Sequence, residues 1–201
     1  MKVFKFGGAS VKDAAGVKNL SSIVHQQHGQ LIVVVSAMGK TTNLLETLCN
    51  AYFHQDPKTT AIMKELKNFH LDIVNTLFPL NETIHKHLEE LFTSLENILA
   101  SESSLCYDYE YDRIICFGEL ISTTIISDYL KMKGIENQFI DIRKFLKTDQ
   151  NYRNANIDLE LSEQLCKDAF DFNTSSVFVT QGFIAGTRTN QTTTLGREGS
   201  D

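Results

Sequence analysis

A chain of 201 residues with a net charge of -6 and a pI near 5.5 is long enough to bury one full α/β core. Its basic residues are scattered, which excludes a nucleic-acid footprint. Its longest wholly apolar run, residues 31–35, is far short of a membrane span, and residues 1–20 lack a secretory pattern, so a cytoplasmic protein without a membrane partner is expected.

Alternation over residues 1–6 predicts a short strand that ends at Lys5 and Phe6. Gly7-Gly8 then lets the backbone turn without Cβ clashes and approach a ligand closely. Ser10 or Asp13 can cap a helix running to about residue 27, leaving backbone N–H groups and a positive helix end to face the turn, an arrangement that attracts anions. An ordinary strand, turn and helix would give the same KxGG pattern, so the downstream residues must decide.

The β-branched run at residues 31–35 is of the kind buried on both faces of a parallel sheet. It leads into the small, polar loop SAMGKTTN at residues 36–43, a position where open α/β sheets bind ligands. Gly39-Lys40-Thr41 imitates the end of a P-loop, but the glycine that motif needs earlier is Val34 here, and the P-loop is rejected. Ser36 and Thr42 can serve either as hydroxyl donors at the sheet's edge or as turn and cap formers.

Residues 43–100 are expected to be helical, with Ile62, Leu66, Phe69, Ile73 and Leu77 and then Ile84, Leu88, Leu91, Leu95 and Ile98 marking two amphipathic helices around Pro79. The short connection makes them an antiparallel pair, packed on the sheet or exposed as a dimerisation surface. His70, His85 and His87 have no metal-ligand spacing, and Cys49, Cys106, Cys116 and Cys166 form no CxxC pair, so reduced thiols and no metal centre are expected.

Residues 107–111 read as an aromatic, acidic connector, with a helix from Asp112 or a neighbour to Met132. Within it, Glu119 is the one formal charge in an apolar stretch, and a buried carboxylate is costly unless paired. Gly118 in a helix interior suggests close packing. A cationic ligand group or an internal partner such as Arg113 would each account for Glu119. Residues 137–141 and 176–181 read as further strands and 157–170 as a helix. Gly182 to Gly186 then lead through a threonine-rich hairpin to Gly196, Arg197, Gly199, Ser200 and Asp201, a second ligand-type loop with a helix-capping character at its end.

KFGGAS at residues 5–10, VVVSAMGKTTN at 33–43, FGELIST at 117–123, TQGFIAG at 180–186 and TTTLGREGSD at 192–201 together resemble aspartate kinase of the amino-acid-kinase family, in order and spacing over nearly the whole chain. The resemblance implies a three-layer α/β sandwich with a mainly parallel sheet and an inserted helical pair. It also implies transfer of the ATP γ-phosphoryl group to the β-carboxylate of L-aspartate, giving 4-phospho-L-aspartate for lysine, threonine and methionine synthesis, with Mg2+ accompanying ATP. Residues 1–43 would supply the phosphate and substrate loops, 44–106 the helical region and 107–201 the rest of the substrate-binding half.

By that resemblance Lys5 neutralises charge on the transferring phosphoryl and Gly7 and Gly8 donate N–H groups to phosphate. Asp201 would orient the lysine and the metal. Thr42, Glu119, Arg197 and Ser200 match acceptor-binding positions, with Ser36 and Phe183 lining the site. Glu198 and Ala9 depart from the pattern. Family members continue past GSD into a nucleotide-binding half, so the expectation is an amino-terminal portion of a homodimeric enzyme that by itself binds ATP poorly and turns over slowly or not at all. A relative acting on glutamate or acetylglutamate, and a non-catalytic binding or dimerisation module, are the alternatives.

Overall fold

The predicted first strand forms as β1 (Lys2–Phe6), and α1 (Ala14–His25) carries the chain back to β2 (Leu31–Val35), which pairs in parallel with β1 so that Phe6 stands opposite Val35. These belong to the computed structural model of the protein, which describes residues 1–79 and 82–196. In β2, Leu31, Val33 and Val35 are fully buried, while Ile32 and Val34 are partly covered on the other face. That two-sided burial is why the run has no polar alternation.

Three helices follow: α2 (Thr41–Phe53), α3 (Thr59–Leu77) and α4 (Glu82–Ala100). The expected antiparallel pair is α3 with α4. Lys67 reaches Glu96 at 2.7 Å and the His70 ring lies 6.4 Å from that of Phe92, so later residues of one helix meet earlier residues of the other. Leu66, Leu88 and Leu95 are fully buried, each contributing roughly 2 kcal/mol of hydrophobic stabilisation. Because α3 touches α1 and α4 touches α6 (Phe117–Met132), the pair is packed on the sheet domain.

Residues 107–111 are not a connector. They open α5 (Tyr107–Ile115), which runs into α6 through Cys116. The polar composition suggested a loop, yet Glu110 and Asp112 are fully buried and satisfied there. Ser104 N–H donates to Glu110 at 2.7 Å, and Thr194 N–H donates to Asp112 at 2.9 Å. Tertiary hydrogen bonds let the helix hold acids in its inward face.

Beyond α6 come β3 (Gln138–Ile140), a 3-10 turn at Ile142–Lys144, β4 (Lys147–Thr148), α7 (Leu159–Ala169) with Asp158 as its cap, β5 (Val177–Gln181), and the hairpin of β6 (Ile184–Thr187) and β7 (Thr192–Thr194). The central sheet has the order β1-β2-β5-β3 and is wholly parallel; β4, β6 and β7 form a smaller mixed sheet. The chain crosses from β1 to β2 to β3 in one direction and returns from β3 to β5. With right-handed crossovers this places α1 and α6 on one face and α7 on the other, giving three layers. The phenyl rings of Phe170, at the end of α7, and Phe178 of β5 meet at 5.4 Å. Among the described residues no helix is long and apolar enough to cross a membrane.

Candidate active site at the carboxyl ends of the strands

Since β1, β2 and β5 are parallel, the loops that leave them emerge at one edge of the sheet. Main-chain hydrogen bonds knit these loops together. Ser36 N–H donates to Phe6 O at 3.1 Å, Gly39 N–H to Gly8 O at 3.0 Å, Gly182 N–H to Val35 O at 3.1 Å, and Leu195 N–H to Phe183 O at 2.9 Å. Gly8 is required by this contact: a Cβ there would lie 2.6 Å from Ala37 O and 3.2 Å from Gly39 O, both backbone atoms that cannot move aside alone.

The helix that presents an uncapped start to this edge is α2 and not α1. Asp13 accepts from Gly16 N–H at 2.8 Å and so caps α1, whereas Ser10 N–H closes a turn onto Gly7 O. The first turn of α2 receives no side-chain bond from its cap residue Lys40. Thr41 N–H donates to Met38 O at 3.0 Å, and the positive dipole end of α2 is an anion-favouring feature beside the loop.

Helix α6 enters the cluster from the side. Ser122 Oγ donates to Ser36 O at 2.8 Å, and a Cβ on Gly118 would meet Ala37 Cβ at 2.9 Å and Leu45 Cδ1 at 3.2 Å. The close packing inferred for Gly118 is thus against the loop after β2 and against α2. It delivers Glu119 into the cluster at 2% exposure. Glu119 Oε1 accepts from Ala37 N–H at 3.2 Å, while Oε2 is buried and has no hydrogen-bond partner among the described residues. Burial pushes the pKa of this carboxyl up to about 8, against the smaller opposing effect of the Ala37 amide. Arg113, the internal partner weighed for it, instead pairs with Glu110 at 2.9 Å.

Of the residues singled out in the sequence, Gly7, Gly8, Ser36, Thr42, Glu119 and Phe183 lie on these loops or on the helix that supports them, and Lys5 lies next to the last residue of β1, exposed and opposite Val34. Thr42 is half-buried in the first turn of α2. Phe183 has φ 64, a left-handed conformation uncommon for a bulky residue, and it is held by the bond to Leu195 and by the Ile184 N–H to Gly182 O turn of 2.7 Å. Arg197, Ser200 and Asp201 lie outside the described residues.

Three supporting groups were not singled out. Ala37 contributes only its amide, which no side-chain pattern reveals. Gln181, buried at the end of β5, donates to Thr123 Oγ1 at 2.9 Å and accepts from Ile142 N–H at 2.9 Å, and Thr123 Oγ1 donates to the Glu119 carbonyl at 2.7 Å. Asp112 accepts from Thr194 Oγ1 at 2.7 Å and from Arg153 N–H at 3.0 Å besides the Thr194 amide, and burial raises its pKa to about 6. A charged residue two helical turns before Glu119 was the available signal.

Among the described residues no group of three or more His, Cys, Asp or Glu could hold a metal ion. Magnesium is usually held by one or two carboxylates together with substrate phosphates. Glu119, the carboxylate in this loop cluster, is enclosed in the protein and tied to Ala37, so the described residues do not fit as magnesium ligands. A separate groove of about 780 Å³, lined by Tyr52, Met63, Lys67 and Glu96 among others, shares none of the site residues.

The family model described as the amino acid kinase family matches residues 1–201. The chain is 29% identical to lysine-sensitive aspartokinase 3 of Escherichia coli over 99% of its own length and 44% of that protein's, and 31% identical to the chloroplastic aspartokinase 1 of Arabidopsis thaliana over 99% and 36%. The structure of E. coli aspartokinase III in complex with aspartate and ADP superposes with a TM-score of 0.88 at 27% identity, covering 98% of this chain and 44% of that one. That of the Clostridium acetobutylicum aspartate kinase gives a TM-score of 0.76 at 25% identity, covering 98% and 42%. The chain spans less than half the length of these relatives. Its fold, its loop motifs and its match from end to end agree: this chain belongs to the amino acid kinase family.

Proposed function

We propose that the chain forms the acceptor- and phosphate-binding part of an aspartate kinase, which transfers the γ-phosphoryl group of ATP to the β-carboxylate of L-aspartate. One observation carries the acceptor side of this reading. Glu119 holds a fully enclosed carboxylate oxygen with no partner among the described residues, in the loop cluster where a substrate would sit. An α-ammonium supplies the charge and the N–H donors that this oxygen lacks, and such a charge-assisted bond is strong in a dry site. The reading draws further support from relatives that are aspartokinases, one of them solved with aspartate and ADP.

In this mechanism the chain contributes charge and position. A carboxylate approaching a triphosphate is repelled, and phosphoryl transfer responds mainly to fixed positive charge and alignment. Lys5 offsets charge on the transferring group, and the Gly7-Gly8 turn brings backbone N–H groups to its oxygens. The uncapped start of α2, with Thr42, favours the acceptor's anionic end. Glu119 grips the ammonium, Arg197 grips a carboxylate through two parallel hydrogen bonds, and Ser36, Phe183 and Ser200 complete the acceptor's surroundings. Asp201 orients Lys5. Magnesium would accompany ATP.

Acetylglutamate carries an uncharged amide where aspartate carries an ammonium, so it would offer Glu119 no cation to pair with. Glutamate keeps the ammonium but adds a methylene. The full-length gene product, expected to be a cytoplasmic homodimer, should show ADP release dependent on aspartate that Lys5→Ala and Glu119→Ala each abolish. Wild-type rates in both variants would refute the site. Stronger protection by glutamate than by aspartate in thermal shifts would reassign the acceptor.

A further inference from the structure

Gln181, the last residue of β5, is buried, and its side-chain amide bridges the sheet to α6. Its Oε1 accepts from Ile142 N–H and its Nε2 donates to Thr123 Oγ1, each at 2.9 Å. A main-chain N–H can only donate, so the Ile142 contact assigns the oxygen to that side and turns the amide nitrogen toward Thr123. Thr123 Oγ1 accepts there, and its single proton goes to the Glu119 carbonyl at 2.7 Å, with the Leu120 carbonyl at 3.2 Å. Every bond in this buried chain therefore has one direction, from Ile142 through Gln181 and Thr123 to Glu119, and such bonds polarise one another.

An α-helix does not need the chain, because each of its interior carbonyls already receives the N–H four residues on. Nor does space-filling need it, since an apolar side chain of similar length would occupy the site without the cost of burying an amide. What the chain adds is a tie between β5 and the turn of α6 that carries Glu119. The anchor is firm: Gln181 stands opposite Val35 in the parallel register, and Gly182 N–H donates to Val35 O at 3.1 Å. The same turn is held from the β2 side by Ser122 Oγ to Ser36 O at 2.8 Å and by Ala37 N–H to Glu119 Oε1 at 3.2 Å. Held from two strands, the Glu119 backbone and one carboxylate oxygen are both fixed, and the enclosed Oε2 is the oxygen without a partner among the described residues.

We propose that Gln181 is a positioning residue for the acceptor: through Thr123 it fixes the turn of α6 that carries Glu119, and so sets where the unpartnered Oε2 meets the acceptor's ammonium. This rests on the aspartate kinase reading of the site. Gln181 and Thr123 act through Glu119 and touch no substrate themselves. Because the ammonium is gripped equally before and during phosphoryl transfer, a misplaced Glu119 weakens acceptor binding and leaves turnover at saturation largely intact.

The test uses the full-length gene product. Gln181→Met keeps the length of the side chain and removes both bonds; it should raise KM for aspartate by about tenfold, with kcat and KM for ATP each within about twofold. Thr123→Val breaks the chain one step nearer Glu119 and should raise KM for aspartate by about fivefold, whereas Thr123→Ser keeps the hydroxyl and should return it to near the wild-type value. If the two residues act in series, the double variant Gln181→Met with Thr123→Val should match Gln181→Met within about twofold instead of multiplying the two effects. Should Gln181→Met fail to fold, the Thr123→Val and Thr123→Ser pair decides the question. Unchanged KM for aspartate in folded variants, KM values for both substrates rising together, or loss in Thr123→Ser equal to that in Thr123→Val would overturn the proposal. Absence of aspartate-dependent ADP release in the wild type would instead overturn the functional reading on which it rests.

Discussion

Glu119 Oε1 accepts a hydrogen bond from the Ala37 amide at 3.2 Å, joining α6 to the loop after β2 across 82 positions of sequence, while Oε2 is left without a partner among the described residues. The pair fixes the carboxylate in place and leaves half of its bonding capacity for something else.

A first consequence concerns pH. The Glu119 carboxyl, raised from 4.5 to about 8, holds its proton more tightly in the folded than in the unfolded chain. Between those two values the folded state carries the extra proton, so its stability falls as pH rises from about 4.5 to 8 and then levels. Glu119→Gln removes that slope. At pH 8.5 it should be more stable than wild type by roughly 1–3 kcal/mol while losing aspartate binding. Urea denaturation of both proteins at pH 5 and pH 8.5 checks this; equal slopes would contradict it.

His70 predicts the opposite sign. Fully buried on α3, its Nδ1 lies 2.8 Å from Leu66 O and therefore donates in the neutral ring, and its Nε2 lies 3.4 Å from Thr41 Oγ1 at the start of α2. Burial lowers its pKa from 6.5 to about 4. Over that interval the unfolded chain takes up a proton that the folded one refuses, so stability is complete above pH 6.5 and is lost as pH falls toward 4. His70→Gln should flatten this loss, which amounts to about 2–3 kcal/mol. Denaturant midpoints at pH 4.5 and 7 measure it.

Gly118→Ala sets helix propensity against packing. Alanine favours the helix by about 1 kcal/mol, but the new methyl meets Ala37 Cβ at 2.9 Å and Leu45 Cδ1 at 3.2 Å, and such overpacking costs about 1–3 kcal/mol. A net destabilisation near 1 kcal/mol is expected, with a raised KM for aspartate because Glu119 is the next residue. A stabilised variant with wild-type kinetics would show that α6 can retreat freely.

Gly8→Ala should act on the other substrate. The added carbon would be 2.6 Å from Ala37 O, and relief of that clash separates the two loops and breaks the 3.0 Å bond from Gly39 N–H to Gly8 O. Activity of the full-length protein should fall by about tenfold or more, with aspartate binding nearly kept. Calorimetric titration with aspartate alongside the ADP assay separates the two effects.

The central sheet and the α3–α4 pair were legible because burial writes a period into the sequence: an unbroken β-branched run for β2, and three-and-four spacing for the helices. Tyr107, Glu110 and Asp112 misled: the bonds that make Asp112 acceptable inside a helix come from Arg153 and Thr194, far off in sequence, while Glu110 is met by the nearby Ser104 amide and Arg113, a pairing that composition alone does not distinguish from a polar loop. Of the two capping candidates named for α1, Asp13 is the one that caps it. Its carboxylate takes up the Gly16 N–H, whereas α2 starts without a side-chain cap at Lys40. Glu119 stood out as a charge among apolar residues, whereas the amide that holds it belongs to an alanine.

The loop cluster is sewn by peptide groups: Phe6 with Ser36, Gly8 with Gly39, Val35 with Gly182, Phe183 with Leu195. Peptide groups are common to every residue, so most side chains around the edge can drift without loosening the seams. A chain sharing only 27% of its residues with the E. coli structure can therefore superpose at a TM-score of 0.88. Exchanging one acceptor for another would then require changes at a few side chains on an unaltered frame, and new specificities on this edge are within reach of small mutational steps.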